Sequence, residues 1–131
     1  MRAERARRAE FKSVAPSFVV SDVIATAEYY RDILGFTILG YFGEPAAFAM
    51  VARGAVEIHF GKADAEPQRT NQALRKISSD AYIWVDDVEA LFAELTTSGA
   101  EIIEGPVRRI YDCVELDVRD CNGFKLVFSQ G

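Results

Sequence analysis

Asp80-Ala81-Tyr82-Ile83-Trp84-Val85-Asp86-Asp87-Val88 reads as an apolar strand that runs straight into a helix start. An acidic residue placed just before a periodic apolar run satisfies the free N–H groups of a first helical turn. About 65 residues upstream the same arrangement occurs once before, as Ser17-Phe18-Val19-Val20-Ser21-Asp22-Val23. After each start the apolar residues recur at helical spacing, at Val23, Ala27, Tyr30 and Leu34 and again at Val88, Leu91, Phe92 and Leu95. Gly35 and Gly99 then stand where a left-handed residue closes a helix. A unit repeated in this way is a supersecondary motif used twice.

Working outward, the first unit begins with a strand over Phe11 to Val20, and Ser21 or Asp22 caps its helix. Strands follow at Phe36 to Tyr41, Ala46 to Val51 and Ala55 to Phe60, with a turn around Gly43-Glu44-Pro45. Residues 61–79 are polar and contain Pro67, with a short helix over Gln72 to Ile77, and read as a linker. The second unit adds strands at Ala81 to Val85, Glu101 to Ile103, Cys113 to Val118 and Phe124 to Phe128, with a turn over Asp120-Cys121-Asn122-Gly123. The expected fold is therefore α+β: two β-α-β-β-β modules, about 11–60 and about 80–131, behind an N-terminal arm over 1–10, forming curved mixed sheets with cup-shaped pockets and helices on the outer face. All 131 residues are assigned to one domain.

Composition narrows the function. Half the residues are hydrophobic and 27% are charged, and no apolar run approaches the ~20 residues of a membrane span, so no membrane partner is expected. Residues 1–12 carry a net charge of +3 within a chain of −5, leaving −8 on the remainder. An acidic body does not suit nucleic acid, whose phosphates need a basic face. It suits a neutral or cationic ligand. The arm reads as a solvated helical extension or a frayed tail, with an arm that binds nucleic acid or a partner as the alternative, and it lacks the apolar stretch of a secretory signal, which makes a cytoplasmic location the expectation. Cys113 and Cys121 have no metal-type spacing and read as free thiols. One histidine, no Gly-x-Ser-x-Gly elbow and no phosphate-cradling glycine loop leave little for nucleophilic or nucleotide chemistry.

The stretches Pro16 to Val23, Tyr30-Arg31-Asp32-Ile33-Leu34-Gly35-Phe36, Ala81 to Val85 and Asp120-Cys121-Asn122-Gly123-Phe124 resemble the vicinal oxygen chelate superfamily of glyoxalases, extradiol dioxygenases and bleomycin-resistance proteins. In its enzymes each cup holds a divalent metal, with ligands on the first and last strand of each half. Those places fall here on Ala15, Glu57, Asp80 and Val127, and alanine and valine have no donor atoms. The resemblance therefore leans to the bleomycin-resistance branch, which sequesters a cationic antibiotic without modifying it and builds its pockets at a subunit interface. It implies a metal-independent, cofactor-free homodimer that binds a small hydrophobic or cationic molecule. The alternative is a metal-dependent lyase, isomerase or dioxygenase with a divalent metal on Glu57, His59 and Asp80, the first two of which share a strand face.

Strand alternation extends this carry-over. If those four places face the cups, then Ser17, Val19, His59, Tyr82, Trp84, Lys125 and Ser129 do too, while Phe18, Val20, Val56, Ile58, Phe60, Ile83, Val85, Phe124, Leu126 and Phe128 seat the helices. The second set is uniformly apolar, as a helix-packed face must be. The first mixes aromatic and polar groups, as a ligand pocket does. The candidate ligand-binding residues are Ser17, Glu57, His59, Asp80, Tyr82 and Trp84. Tyr82 and Trp84 equally fit as filling of the sheet interior. Glu115 and Asp117 read as a solvated acidic face.

Overall fold

The computed structural model describes residues 7–65 and 70–131. The elements run β1 (Ser17–Val20), α1 (Val23–Asp32), β2 (Thr37–Phe42), β3 (Phe48–Arg53), β4 (Val56–Lys62), α2 (Asn71–Leu74), β5 (Ala81–Trp84), α3 (Val88–Ser98), β6 (Glu101–Arg108), β7 (Val114–Arg119) and β8 (Lys125–Gln130). They form two open four-stranded sheets of the same topology, β1-β4-β3-β2 and β5-β8-β7-β6. In each sheet the first strand pairs parallel with the last and the other pairs are antiparallel. The fold is thus α+β with mixed sheets, and the echo in sequence is an echo in topology.

Both helix starts have the same chemistry. Asp22 and Asp87 hold extended backbones, and each carboxylate accepts from the N–H three residues on, Ala25 and Ala90, at 3.0 Å. Gly99 ends α3 in the left-handed region at φ 90°, its N–H donating to the Leu95 and Thr96 carbonyls. The regular part of α1 stops at Asp32, earlier than the glycine suggests, and Gly35 (φ 76°) reverses the chain so that the Phe36 N–H reaches the Tyr30 carbonyl.

Three expected elements differ. The first strand forms only from Ser17, where its parallel pairing with β4 begins opposite His59; Phe11 and Val14 lie exposed. The linker helix is a single turn, Asn71–Leu74, capped by the Thr70 hydroxyl. β6 runs on to Arg108 because β7 continues to pair with it through two register irregularities. One of these holds Gly105 at φ 106°, where a Cβ would meet the Glu115 backbone.

Of the apolar parity set, Phe18, Val20, Ile58, Phe60, Ile83, Phe124, Leu126 and Phe128 are buried in one contiguous core with residues of α1 and α3, while Val56 and Val85 pack against it half-buried. Burial of each large apolar side chain stabilises the fold by roughly 1.5–3 kcal/mol. This core joins the two modules. Phe18 stacks on Phe124 with ring centres 4.4 Å apart. The buried Tyr30 hydroxyl donates to Asp120 at 2.6 Å, Ser98 Oγ donates to the Ile33 carbonyl at 2.6 Å, and Arg53 grips Glu94 through two bonds of 2.7 and 2.8 Å.

Candidate binding site

Paired strand residues share a face, so register alone assembles a concave surface on the second sheet. One row reads Tyr82, Val127, Asp117 and Glu104, and the next reads Trp84, Ser129, Glu115 and Val107. This is the side away from α3. The β6–β7 loop folds over it and brings Arg109 and Tyr111, while the linker contributes a rim with Lys76 and Ile77. Between them lies a cavity of about 640 Å³.

Glu115 is the hub of that cavity. Its Oε2 accepts from the Tyr82 hydroxyl at 2.5 Å and the Tyr111 hydroxyl at 2.6 Å, and its Oε1 accepts from Arg109 Nε at 2.9 Å. Arg109 Nη2 donates to Glu104 at 2.8 Å and lies 3.5 Å from Asp117 Oδ2, which Lys125 Nζ approaches from the other side at 3.4 Å. Glu115 and Asp117 are each only 4% exposed, so the solvated acidic face expected from the sequence is instead a buried ionic network. The reason is position: β7 is flanked by β6 and β8, and the loop and linker cover its open side. Buried carboxylates persist when cations and donors satisfy them, as Arg109 and the two phenols do for Glu115.

The network moves its members away from neutrality. Burial pushes Glu115 up, but the bonds from Tyr111, Tyr82 and Arg109 outweigh it and hold the carboxyl below its ordinary range. The bond to Glu115 pushes the Tyr111 phenol up to about 12. Burial, then the bond to Glu115, raise that of Tyr82. Asp117 goes the other way: burial raises it, and Lys125 and Arg109 only partly offset that. Among the described residues, two buried atoms on this face have no hydrogen-bond partner, Asp117 Oδ1 and Ser129 Oγ.

The candidate residues from the sequence are spread over several places. Tyr82 walls the large cavity and is 43% exposed. Trp84, at 63% exposed, turns its ring edge to Tyr82 at 5.1 Å and lines a separate cleft of about 430 Å³ between the modules. Ser17 and Asp80 border a smaller pocket of about 250 Å³ at the seam of β1 with the start of β8. Both Asp80 oxygens accept backbone N–H groups, from Asn71 and from Lys125, each at 2.9 Å. Glu57 and His59 lie on the concave face of the first sheet, with His59 Nε2 2.5 Å from Glu57 Oε2 and its ring edge against Phe48.

Those positions bear on a metal. Among the described residues no three His, Cys, Asp or Glu side chains are grouped to hold one. Glu57 and His59 adjoin each other, but Asp80 faces the seam with both oxygens occupied. A divalent cation normally takes at least three protein ligands, and among the described residues Glu57, His59 and Asp80 are not brought together as such a set. Lys125 and Ser129 were legible from strand parity. Glu104, Arg109 and Tyr111 were not read as site residues; the only signal was the alternation of acids on β7 opposite Lys125.

Residues 12–128 match the model of the Glyoxalase/Bleomycin resistance protein/Dioxygenase superfamily, and the chain belongs to that superfamily. No curated protein matches it. Among solved structures it is similar to the bleomycin-binding protein of bleomycin-producing Streptomyces verticillus in complex with copper(II)-bleomycin, at 25% identity and a TM-score of 0.70 over 95% of this chain and 99% of that one. A bleomycin-binding protein complexed with bleomycin aligns at 18% identity and a TM-score of 0.73, over 92% and 99%. TioX from Micromonospora sp. ML1 aligns at 19% identity and the same TM-score, over 92% and 98%.

Proposed function

We propose that this superfamily member is a metal-independent binding protein for a small hydrophobic or cationic molecule, in the manner of antibiotic-sequestering proteins, and that it acts as a homodimer. The observation that carries the reading is the cavity of the second module. Its volume suits a small organic molecule. Glu115 is locked to Tyr82, Tyr111 and Arg109, with the two phenols raised and the carboxyl lowered. A general acid or base works best with a pKa near the working pH, and these three have been moved away from it. Such groups orient a ligand better than they exchange protons with it. The likeness to two structures holding bleomycin supports the same reading. The dimer draws support from apolar residues left exposed on β2, Leu39 and Phe42.

Titration with bleomycin and a panel of cationic aromatic drugs tests the binder. Trp84 is the only tryptophan and its ring touches that of Tyr82, so its fluorescence should change on binding. Ligand at a hundred times its dissociation constant should stabilise the fold by about 2.7 kcal/mol. Unchanged fluorescence and an unchanged melting temperature across the panel would remove the proposal. The second reading, a metal-dependent lyase, isomerase or dioxygenase, starts from Glu57 and His59 standing side by side on one strand face. Stoichiometric divalent metal in protein purified without chelator, with activity that depends on it, would replace the first reading by this one.

A further inference from the structure

We propose that the cleft between the modules is a second ligand site, separate from the concave face, for an uncharged molecule of one or two aromatic rings. The internal repeat supplies the ground. α1 begins at Val23 and α3 at Val88, so Thr26 corresponds to Leu91 and Tyr30 to Leu95. Phe18 pairs with Phe60 and Ile83 with Phe128, which aligns Val56 with Phe124, each four residues upstream of its phenylalanine. In one half, five residues link β7 to β8, and their turn is tied to the other module at three points. Tyr30 donates to Asp120 at 2.6 Å, Asn122 Nδ2 donates to Thr26 Oγ1 at 2.9 Å, and Phe124 stacks on Phe18. In the other half only Gly54 and Ala55 link β3 to β4. The hairpin is shorter there, and Leu95, Leu91 and Val56 stand in place of the tyrosine, the threonine and the phenylalanine. The cleft of about 430 Å³ lies where the longer turn and the two rings fill the equivalent junction.

Its lining sets the ligand chemistry. Leu34, Phe36, Ile83, Leu91, Leu95 and Phe128 are buried core residues that form the floor, and the largely exposed ring of Trp84 forms a wall. Among the described residues, no unpartnered buried side-chain polar atom lines the cleft to anchor a water. Arg53 and Glu94 on the border satisfy each other through two bonds. The exposed Asp86 and Asp87 leave that border negative, which disfavours an anion. They stand in solvent, where screening leaves a cation little to gain. A planar apolar molecule covers the floor and adds an aromatic contact with Trp84, as the rings of Phe18 and Phe124 do for each other at the equivalent junction.

The test titrates naphthylmethanol, and naphthoate as its anionic counterpart, into the isotope-labelled full chain while backbone amides are followed by NMR. With naphthylmethanol the amides of Gly54, Ala55, Ala90 and Leu91 should shift, while those of Glu115 and Asp117 on the concave face stay in place. Naphthoate should bind roughly ten-fold more weakly. Ala90 lines the cleft from an exposed helical position, so Ala90→Leu keeps the helix and fills the space. It should weaken naphthylmethanol roughly ten-fold, whereas the similarly sized Ala90→Ser should not. Unchanged affinity in Ala90→Leu overturns the site, as do shifts confined to Glu115 and Asp117 or no shift at all. Cleft amides that move on dilution of the protein, and not on addition of naphthylmethanol, mean that a second copy covers the cleft, and overturn it too. Naphthoate binding as tightly as the alcohol overturns the selectivity for an uncharged ligand. Each of these outcomes is read at the cleft, so the binding reading of the concave face stands or falls on its own titration.

Discussion

Glu115→Gln is the sharpest probe of the ionic network. Glutamine keeps the shape and one acceptor oxygen but removes the charge on which three hydrogen bonds converge, from Tyr82 at 2.5 Å, Tyr111 at 2.6 Å and Arg109 at 2.9 Å. Hydrogen bonds to a charged group contribute roughly 1.5–3 kcal/mol each. The two phenols reach solvent and can turn to water, and Arg109 keeps Glu104, so the loss is less than the sum. We expect destabilisation of about 2–4 kcal/mol at pH 7, which lowers the melting temperature by about 10 °C for a chain of this size. The pH dependence has a definite sign. Glu115 is held below its ordinary range in the fold, so its contribution is fully present above the unfolded carboxyl value, ~4.3, and is lost as pH falls through the lower folded value. Urea unfolding of both proteins at pH 7, 5.5 and 3.5 measures this, and titration of acids outside the network cancels in the difference. A gap under about 0.5 kcal/mol at pH 7, the range of ordinary surface substitutions, would refute the hub. So would a gap that stays constant to pH 3.5.

Tyr30→Phe removes the buried bond from α1 to Asp120, whose other oxygen still accepts from the Asn122 and Phe124 N–H groups. It should cost about 1–2 kcal/mol with an unchanged urea m-value, because the core volume is retained. Asp80→Ala strips the acceptor from the Asn71 and Lys125 N–H groups that pin the linker to the start of β8. Amide hydrogen exchange at these two residues should quicken by at least ten-fold, while exchange in the centre of β7 stays unchanged.

What the sequence by itself determined is whatever depends on neighbours a few residues away. The caps at Asp22 and Asp87 and the left-handed turns at Gly35 and Gly99 are local chemistry, and each is found in its place. The two-residue alternation of the strands separated Phe18, Ile58, Phe60, Leu126 and Phe128 as the helix-packed face without reference to any partner strand. The repeated unit then dictated a repeated topology. Tertiary structure decided what those faces meet. Glu115 and Asp117 carry the same alternation as an exposed acidic strand, and they are buried because β7 lies between two strands under a loop and a linker. Arg109 and Tyr111 sit in a loop without period, and only the long, irregular pairing of β6 with β7 brings them back over Glu115. Asp80 shows the same division. Its place before the strand was legible, but its two oxygens are taken by N–H groups nine and forty-five residues away. Periodicity specifies the face on which a side chain stands, whereas the partner of a charge is set by which distant backbone closes over it.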